Sequence, residues 1–540
     1  MSLLEVADLA IDYRGRRTPV RAVDAVSFTV GEGETVAVVG ESGSGKSTTA
    51  HAVLGLLPAS ARVTSGRITF AGTELTALSA RRWRSVRGRQ IALVPQDPGT
   101  SLNPVQRIGT QVAEALLLSG AAGRRTARAR AVELLAEAGL PDPEVQARRY
   151  PGQLSGGMRQ RALIAIAIAG RPRLIVADEP TSALDVTVQR RILDRIGSLV
   201  RDTGTGLVLI THDLGVAAER ADRLLVMRAG AVVERGTPAD VLTDPHDPYT
   251  KSLIAAAPGL TDAPRRQLEL TTTPGGAPGD PFAAASATAP ERDGDLLRVE
   301  GLVKEFPLPR RGSVRAVDDV SFAVPAGRTF GLVGESGSGK STIARLVLRL
   351  TEPTAGRVVF GGTDLRDFRR RVQLVHQNPF ASLDPRRTVE QVVADPLASF
   401  GLGTRKQRRQ RAAELTDLVA LPSAVLRRRP GELSGGQRQR VAIARALVLN
   451  PELVVCDEPV SALDVSIQAQ ILDLLAAVQA ELGVAYLFIS HDLAVVRHFA
   501  DEVGVLHRGR LVETGPAAQL FAAPAHAYTQ ELLAAIPGRR

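Results

Sequence analysis

Residues 40–48 read GESGSGKST, and residues 334–342 repeat the same nine letters. In each stretch a glycine, four residues, then glycine, lysine and serine follow an apolar run and precede helix-forming text. That is the setting of a phosphate-binding loop. Gly40, Gly43 and Gly45, with Glu41, Ser42 and Ser44 between them, let successive backbone N–H groups turn inward around a β-phosphate. Lys46 then reaches β and γ oxygens, and the Ser47 hydroxyl is offered to Mg²⁺. Gly334, Glu335, Ser336, Gly337, Ser338, Gly339, Lys340 and Ser341 repeat those roles, and Thr48 and Thr342 close the two stretches. A lone match could be a flexible loop. Two identical matches in the same strand-to-helix context leave that reading little room. Of 67 basic residues only five are lysine, and two of those five are Lys46 and Lys340. A compact ammonium is wanted there, where a planar guanidinium would not fit.

Further along each copy, Asp178 and Asp457 end apolar runs and are followed by Glu179 and Glu458. An aspartate at such a strand end holds the Mg²⁺ shell, and a second carboxylate one residue on is placed to polarise an attacking water. An acidic pair by itself could equally cap a helix; the phosphate loops upstream favour catalysis. His212 and His491 each follow another short apolar run. A lone histidine is usually structural, but these stand where a strand end would reach the γ-phosphate. LSGGM at 154–158 and LSGGQ at 433–437 place Ser155, Gly156 and Gly157, and Ser434, Gly435 and Gly436, at the start of a helix. Each would be a second anion-binding terminus. A simple N-cap accounts for the serine but not for the ArgGlnArg that follows both copies at 159–161 and 438–440.

These stretches require a scaffold repeated twice. AVDAVSFTV (22–30) answers AVDDVSFAV (316–324), and LIVADEPTSALDVTVQ (174–189) answers LVVCDEPVSALDVSIQ (453–468). The offset between copies falls from 294 at the first motif to 279 at LeuSerGlyGly, so the second copy is 15 residues shorter, mostly before Gln377. Short apolar runs ending in polar residues read as buried parallel strands whose carboxyl ends face a ligand. AVELLAEAGLP reads as an inserted helix with Val132 and Leu135 on one face and a stop at Gly139 and Pro141. The expected organisation is a first α/β domain over 1–260, a Pro/Gly/Ala-rich linker over 261–295 and a second domain over 296–540.

Composition bounds the rest. With 44% apolar and 23% charged residues in 540, this is ordinary globular text. No apolar run approaches the roughly 18 residues of a membrane helix, so any membrane role passes through a partner. MSLLEVADLAIDYRGRR lacks the pattern of a secretory signal, which points to the cytoplasm. The one cysteine, Cys456, excludes an internal disulfide and a multi-thiolate metal site within the chain. The net charge of +10 is spread as arginines over both halves and reads as solvated helix faces, not a nucleic-acid stripe.

Taken with these motifs, the chain resembles a duplicated ATP-binding cassette (ABC) protein over nearly its whole length. The resemblance implies two tandem P-loop NTPase domains, each with a parallel-sheet core, an antiparallel β part and a helical subdomain. It implies that the cassettes pair head to tail, so that ATP on Gly40 to Thr48 is closed by Ser434, Gly435 and Gly436, and ATP on Gly334 to Thr342 by Ser155, Gly156 and Gly157. Tyr13 and Phe306 match the aromatic that stacks on adenine, Gln96 and Gln377 the glutamine that senses Mg²⁺ and water, and Asp185 and Asp464 the loop that crosses the dimer. Met158 stands where the family usually has glutamine, which predicts a weaker closing helix. QDPGTSLNP, QNPFASLDP and PHDPYTKSL resemble the peptide, glutathione and nickel importers. That implies ATP hydrolysis energising two permease subunits and, indirectly, an external solute-binding protein, from the cytoplasmic face of the membrane, with no nucleic-acid partner. The competing class is a soluble two-cassette ATPase acting on ribosomes. Its charged helical arm has no counterpart in the Pro/Gly/Ala-rich stretch here.

Overall fold

A computed structural model describes residues 2–15, 18–181, 184–257, 294–307, 312–361, 364–461 and 463–538. Most of the expected linker, 261–293, lies outside these residues. The chain divides into two compact units, the first over Met1–Thr261 and the second over Asp262–Leu463 and Ile467–Ile536, with short additions to the first. Asp295, the last residue of the expected linker, already pairs with Pro325 in a strand of the second unit.

In the first unit TVAVV (Thr35–Val39), LIVAD (Leu174–Asp178) and GLVLI (Gly206–Ile210) are buried at every position. Continuous apolar runs of this kind belong to strands covered on both faces. They form the middle of a six-stranded sheet in which Ile91–Val94, Leu174–Asp178, Gly206–Ile210, Thr35–Val39 and Arg223–Arg228 run parallel. Ala231–Gly236 adds an antiparallel edge after a tight turn with Ala229 at φ 48° and Gly230 at φ 89°. Both turn residues having positive φ is what a two-residue hairpin loop needs. The register sets Asp178 opposite Ile210 and Ile210 opposite Val38. The residue after each strand therefore emerges at one common edge, where open α/β sheets bind ligands.

One face of this sheet is covered by an antiparallel sheet of Leu4–Tyr13, Val20–Val30, Ala61–Phe70 and the short Thr73–Glu74. The core on that side includes Leu4, Phe28, Val36, Val38, Phe70 and Trp83. The other face meets the helical part, whose cluster joins Ile108, Val112, Leu116, Leu134 and Ile164 to Ala177 and Leu209 of the sheet. In the helix Ala127–Glu137 the buried positions are Ala127, Ala131, Leu134 and Leu135. Leu135 lies on the core side as expected, whereas Val132 is only half-buried, because the inward stripe runs one position earlier through Ala131. Gly139, at φ 80°, ends the helix in left-handed backbone, as its stop signal requires.

The second unit repeats this plan. Its six strands, in order across the sheet, are Val372–Val375, Leu453–Asp457, Ala485–Ser490, Thr329–Val333, Glu502–His507 and Arg510–Pro516. Its antiparallel sheet has three strands among the described residues, and Ala355–Phe360 spans six residues where Ala61–Phe70 spans ten. Four of the 15 residues by which the second copy is shorter thus fall on this peripheral strand, while the site-bearing strands Thr35–Val39 and Thr329–Val333, and Leu174–Asp178 and Leu453–Asp457, keep five residues each. Cys456 is fully buried in Leu453–Asp457, and desolvation pushes its thiol pKa well up. Among the described residues no helix is long and apolar enough to cross a membrane.

Candidate nucleotide sites

Each phosphate loop leaves its strand through a glycine that no other residue can replace without moving backbone. Gly40 has φ 146°, and a Cβ there would stand 2.2 Å from the Met227 carbonyl oxygen; at Gly334, with φ 152°, it would stand 2.2 Å from that of Leu506. The helices Lys46–Val53 and Lys340–Val347 begin directly after left-handed Gly45 and Gly339. Lys46 Nζ donates to the carbonyls of Gly40 at 2.6 Å and Glu41 at 2.8 Å, and Lys340 Nζ to those of Gly334 and Glu335 at 2.7 and 2.9 Å. The ammonium is thus parked across the mouth of the loop. Burial lowers the Lys46 pKa, with the charges of Glu179 and Asp178 opposing that shift. The Ser44 and Ser338 hydroxyl oxygens are buried and have no hydrogen-bond partner among the described residues. Buried polar atoms are rarely left unpaired, and a phosphate oxygen in the cradle would supply the partner.

Beside each loop the carboxylates take two roles. Ser47 Oγ donates to Asp178 Oδ1 at 3.0 Å and Ser341 Oγ to Asp457 Oδ1 at 3.3 Å. Hydroxyl and carboxylate are the hard oxygen donors Mg²⁺ takes from protein, the remainder coming from phosphate and water, so the residues fit that ion. Burial pushes the Asp178 and Asp457 carboxyls up, and the neighbouring glutamate adds to it. The glutamates go the other way. Burial would raise Glu179, but His212 Nδ1 at 3.3 Å and Gln96 Nε2 at 2.8 Å hold its pKa below the usual range, with help from the Lys46 charge. Glu458 is held down in the same way by His491 at 3.2 Å and Gln377 at 2.8 Å. The histidines are themselves raised: burial lowers them, and the carboxylate beside each outweighs it. With Nε2 spent on the glutamate, the amide carbonyl of Gln96 is the atom a cation would take.

Glu179 and Glu458 also sit in left-handed backbone, at φ 45° and 49°. Such a conformation in a non-glycine residue costs on the order of 1–3 kcal/mol and tends to mark functional positions. The N–H of each is tied to the neighbouring strand, Glu179 to the Ile210 carbonyl and Glu458 to that of Ile489, both at 2.9 Å.

The LeuSerGlyGly stretches open the helices Gly156–Ile168 and Gly435–Leu447 as expected, with Ser155 and Ser434 as N-caps. Here the copies differ. Gln437 Oε1 accepts from the Ser434 N–H at 3.1 Å while Ser434 Oγ accepts from the Gln437 N–H at 3.3 Å, a reciprocal capping box. Met158 keeps only the second of these bonds. The residue missing at Met158 is therefore an acceptor within the helix start. The two arginines of each ArgGlnArg are taken up by backbone carbonyls of the fold: Arg159 donates to Pro151 and Leu154 and Arg161 to Gly139, and Arg438 donates to Pro430 and Arg440 to Val419. Asp185 caps the helix Val186–Thr203, and Asp464 stands just before Val465–Leu482.

Of the two aromatic residues, Tyr13 reaches the loop, its hydroxyl 3.4 Å from Thr48 Oγ1. Phe306 is 41% exposed with the Lys304 ammonium 5.3 Å from its ring. Two residues at the loops were not anticipated. The Tyr249 hydroxyl accepts from the Glu41 N–H at 3.0 Å, and the Tyr528 hydroxyl from the Glu335 N–H at 3.3 Å. The repetition of TyrThr in PHDPYTKSL and PAHAYTQEL was the available signal.

Comparison with known proteins agrees with this geometry. The family model described as "ABC transporter" matches residues 23–182 and 317–461, and "Oligopeptide/dipeptide transporter, C-terminal region" matches 233–283 and 512–540. "Oligopeptide transport ATP-binding protein OppD" of Mycobacterium tuberculosis is 44% identical, over 99% of this chain and 98% of its own. "Glutathione import ATP-binding protein GsiA" of Shigella boydii is 44% identical, over 99% and 90%. A solved dimeric structure of a bacterial ABC transporter cassette is 30% identical at a TM-score of 0.40, spanning 44% of this chain and 98% of its own. With both phosphate loops, both aspartate–glutamate pairs and both serine–glycine helix starts in place along its length, the chain belongs to the ABC transporter family.

Proposed function

We propose that the chain is the ATP-hydrolysing component of an importer for peptides or related small solutes, glutathione and nickel among the candidates. The observation that carries this reading is that each unit holds an anionic glutamate between a histidine and a glutamine, beside its own phosphate loop. Lys46 and Lys340 leave their parking carbonyls for the β and γ oxygens of ATP. Ser47 with Asp178, and Ser341 with Asp457, would hold Mg²⁺, together with Gln96 and Gln377. Bound Mg²⁺ would offset phosphate charge as it develops. Glu179 and Glu458, kept ionised, orient the attacking water and accept its hydrogen bond, while His212 and His491 hold those carboxylates and face the γ-phosphate.

The transport half of the reading is supported by full-length similarity to the oligopeptide and glutathione proteins and by a C-terminal region of the peptide-transporter type after each cassette. In this reading the two ATP sites are composite, the LeuSerGlyGly helix of one half closing the loop of the other, with Asp185 and Asp464 at the crossing and Tyr13 and Phe306 against adenine. Domain bounds of 1–260 and 296–540 with a linker between belong to the same proposal. So do two permease subunits, an external solute-binding protein and a peripheral place on the cytoplasmic face. Closure drives transport only through a higher affinity of ATP for the closed state. The ribosomal alternative is not favoured by relatives of this kind. Changing Glu179 and Glu458 together to Gln is expected to leave MgATP binding intact and stop turnover, and brisk hydrolysis by that double variant would overturn the assignment.

A further inference from the structure

We infer that Tyr249 and Tyr528 are positioning residues for ATP, through which the C-terminal region of each unit braces the phosphate loop beside it. This rests on the nucleotide reading above.

Both phosphate loops lie within the ABC transporter matches, whereas both tyrosines lie in the separate C-terminal matches. In the first unit the two regions pack through Val39, Val241 and Leu253, and in each unit a tyrosine hydroxyl joins them at the loop itself. Glu41 is gripped at both ends of its backbone: its N–H donates to the Tyr249 hydroxyl at 3.0 Å, and its carbonyl accepts from Lys46 Nζ at 2.8 Å. Glu335 is held likewise by Tyr528 at 3.3 Å and Lys340 at 2.9 Å. The lysine has to leave that carbonyl to engage phosphate, whereas the tyrosine contact lies on the far side of the residue and can persist. The brace thus keeps the loop in its binding shape while the lysine moves, and preorganisation of this kind is realised as affinity.

Each tyrosine is itself held firmly. Tyr249 is 6% exposed and Tyr528 8%. Burial raises the Tyr249 pKa, so the phenol stays neutral. The Arg228 guanidinium lies 5.0 Å from the Tyr249 ring centre, and the His507 ring lies 3.9 Å from that of Tyr528. The segment carrying each tyrosine is tied to the sheet edge. Glu234 accepts from the His246 and Asp247 N–H groups at 2.7 and 3.2 Å, and Glu513 from those of Ala525 and His526 at 2.8 and 3.1 Å. A line of contacts therefore runs from the edge hairpin through the C-terminal helix to the residue that parks the lysine.

The test is Tyr249→Phe and Tyr528→Phe, singly and together in the full chain, which removes one oxygen and keeps the ring. Losing one such hydrogen bond is expected to raise the KM for MgATP, and the Kd of a slowly hydrolysed analogue, about fivefold per affected site. The kcat should stay within about twofold and the unfolding midpoint nearly constant. Glu234→Gln, which loosens the segment at a distance from the loop, should move KM the same way by less. Unchanged KM and Kd in the double variant, with or without a drop in midpoint, overturn the brace. Wild-type protein and Lys46→Ala with Lys340→Ala run alongside: if the wild type binds no MgATP, it is the nucleotide reading that fails.

Discussion

The two units agree most closely where their sequences are identical and part company at their helix starts. Lysine to loop carbonyl is 2.6 and 2.8 Å in the first and 2.7 and 2.9 Å in the second, and glutamine to glutamate is 2.8 Å in both. The differences lie in what supports these parts. The second unit has the full capping box at Gln437, which the first lacks at Met158. The first has Asp247 and Pro248 at the start of its C-terminal helix, where the second has His526 and Ala527. Each unit is thus better secured at one helix and worse at another. The geometry of the candidate sites is set by the strand ends and the loop, and the helix starts vary around it.

The largest effect that could separate the units comes from single glutamate variants. Glu179→Gln and Glu458→Gln each remove one proposed base and are expected to cut turnover at their own site by about a hundredfold or more. If the units work independently, either variant leaves about half of the steady-state rate; if each turnover needs both, either abolishes it. A result in which one variant is silent and the other is fatal would end the equivalence drawn from the matching distances.

A smaller effect tests the two LeuSerGlyGly helices. Met158→Gln should restore the missing reciprocal bond and stabilise the first unit by about 1 kcal/mol, and Gln437→Met should cost the second unit as much. Trp83 is the one tryptophan of the chain and is buried in the first unit, so its fluorescence follows that unit alone. Met158→Gln should move the tryptophan transition up by about 2–4 °C, and Gln437→Met should leave it in place. The smallest effect concerns the C-terminal helices. Ala527→Pro places at the first helical position the residue that Pro248 already provides, and should stabilise the second unit by about 0.4–1 kcal/mol in thermal unfolding of the full chain. Destabilisation would show that the two helix starts differ by more than their residues.

Much of the site was legible because its residues sit at ends of strands whose apolar runs announce them. Asp178, Glu179, His212 and the loop from Gly40 each follow such a run, and parallel register brings those ends together. The left-handed backbone of Glu179 was not legible, since nothing in a glutamate's type declares a positive φ. Nor was the tyrosine contact, which joins residues 208 apart in the first unit and 193 apart in the second. Tyrosines most of a domain away in sequence offer no periodicity to read. Met158 shows a different limit. Its departure from glutamine was visible, but not which bond is lost: the missing group is an acceptor for the Ser155 N–H, as Gln437 is for Ser434. Val132 was assigned to a buried face one position out of phase, because small Ala131 carries no strong apolar signal.

Cys456 gives the second unit a clock. The thiolate is the form that reacts with alkylating agents, and this thiol is both fully enclosed and held protonated in the strand that ends at Asp457. A reagent can reach it only when that strand opens, so labelling time measures excursions of the central sheet out of its native state. Ligands that bind the native state lower the population of such openings by a factor set by their concentration and Kd. Occupancy next to Asp457 can therefore be timed by mass in the unmodified chain, without engineering a probe.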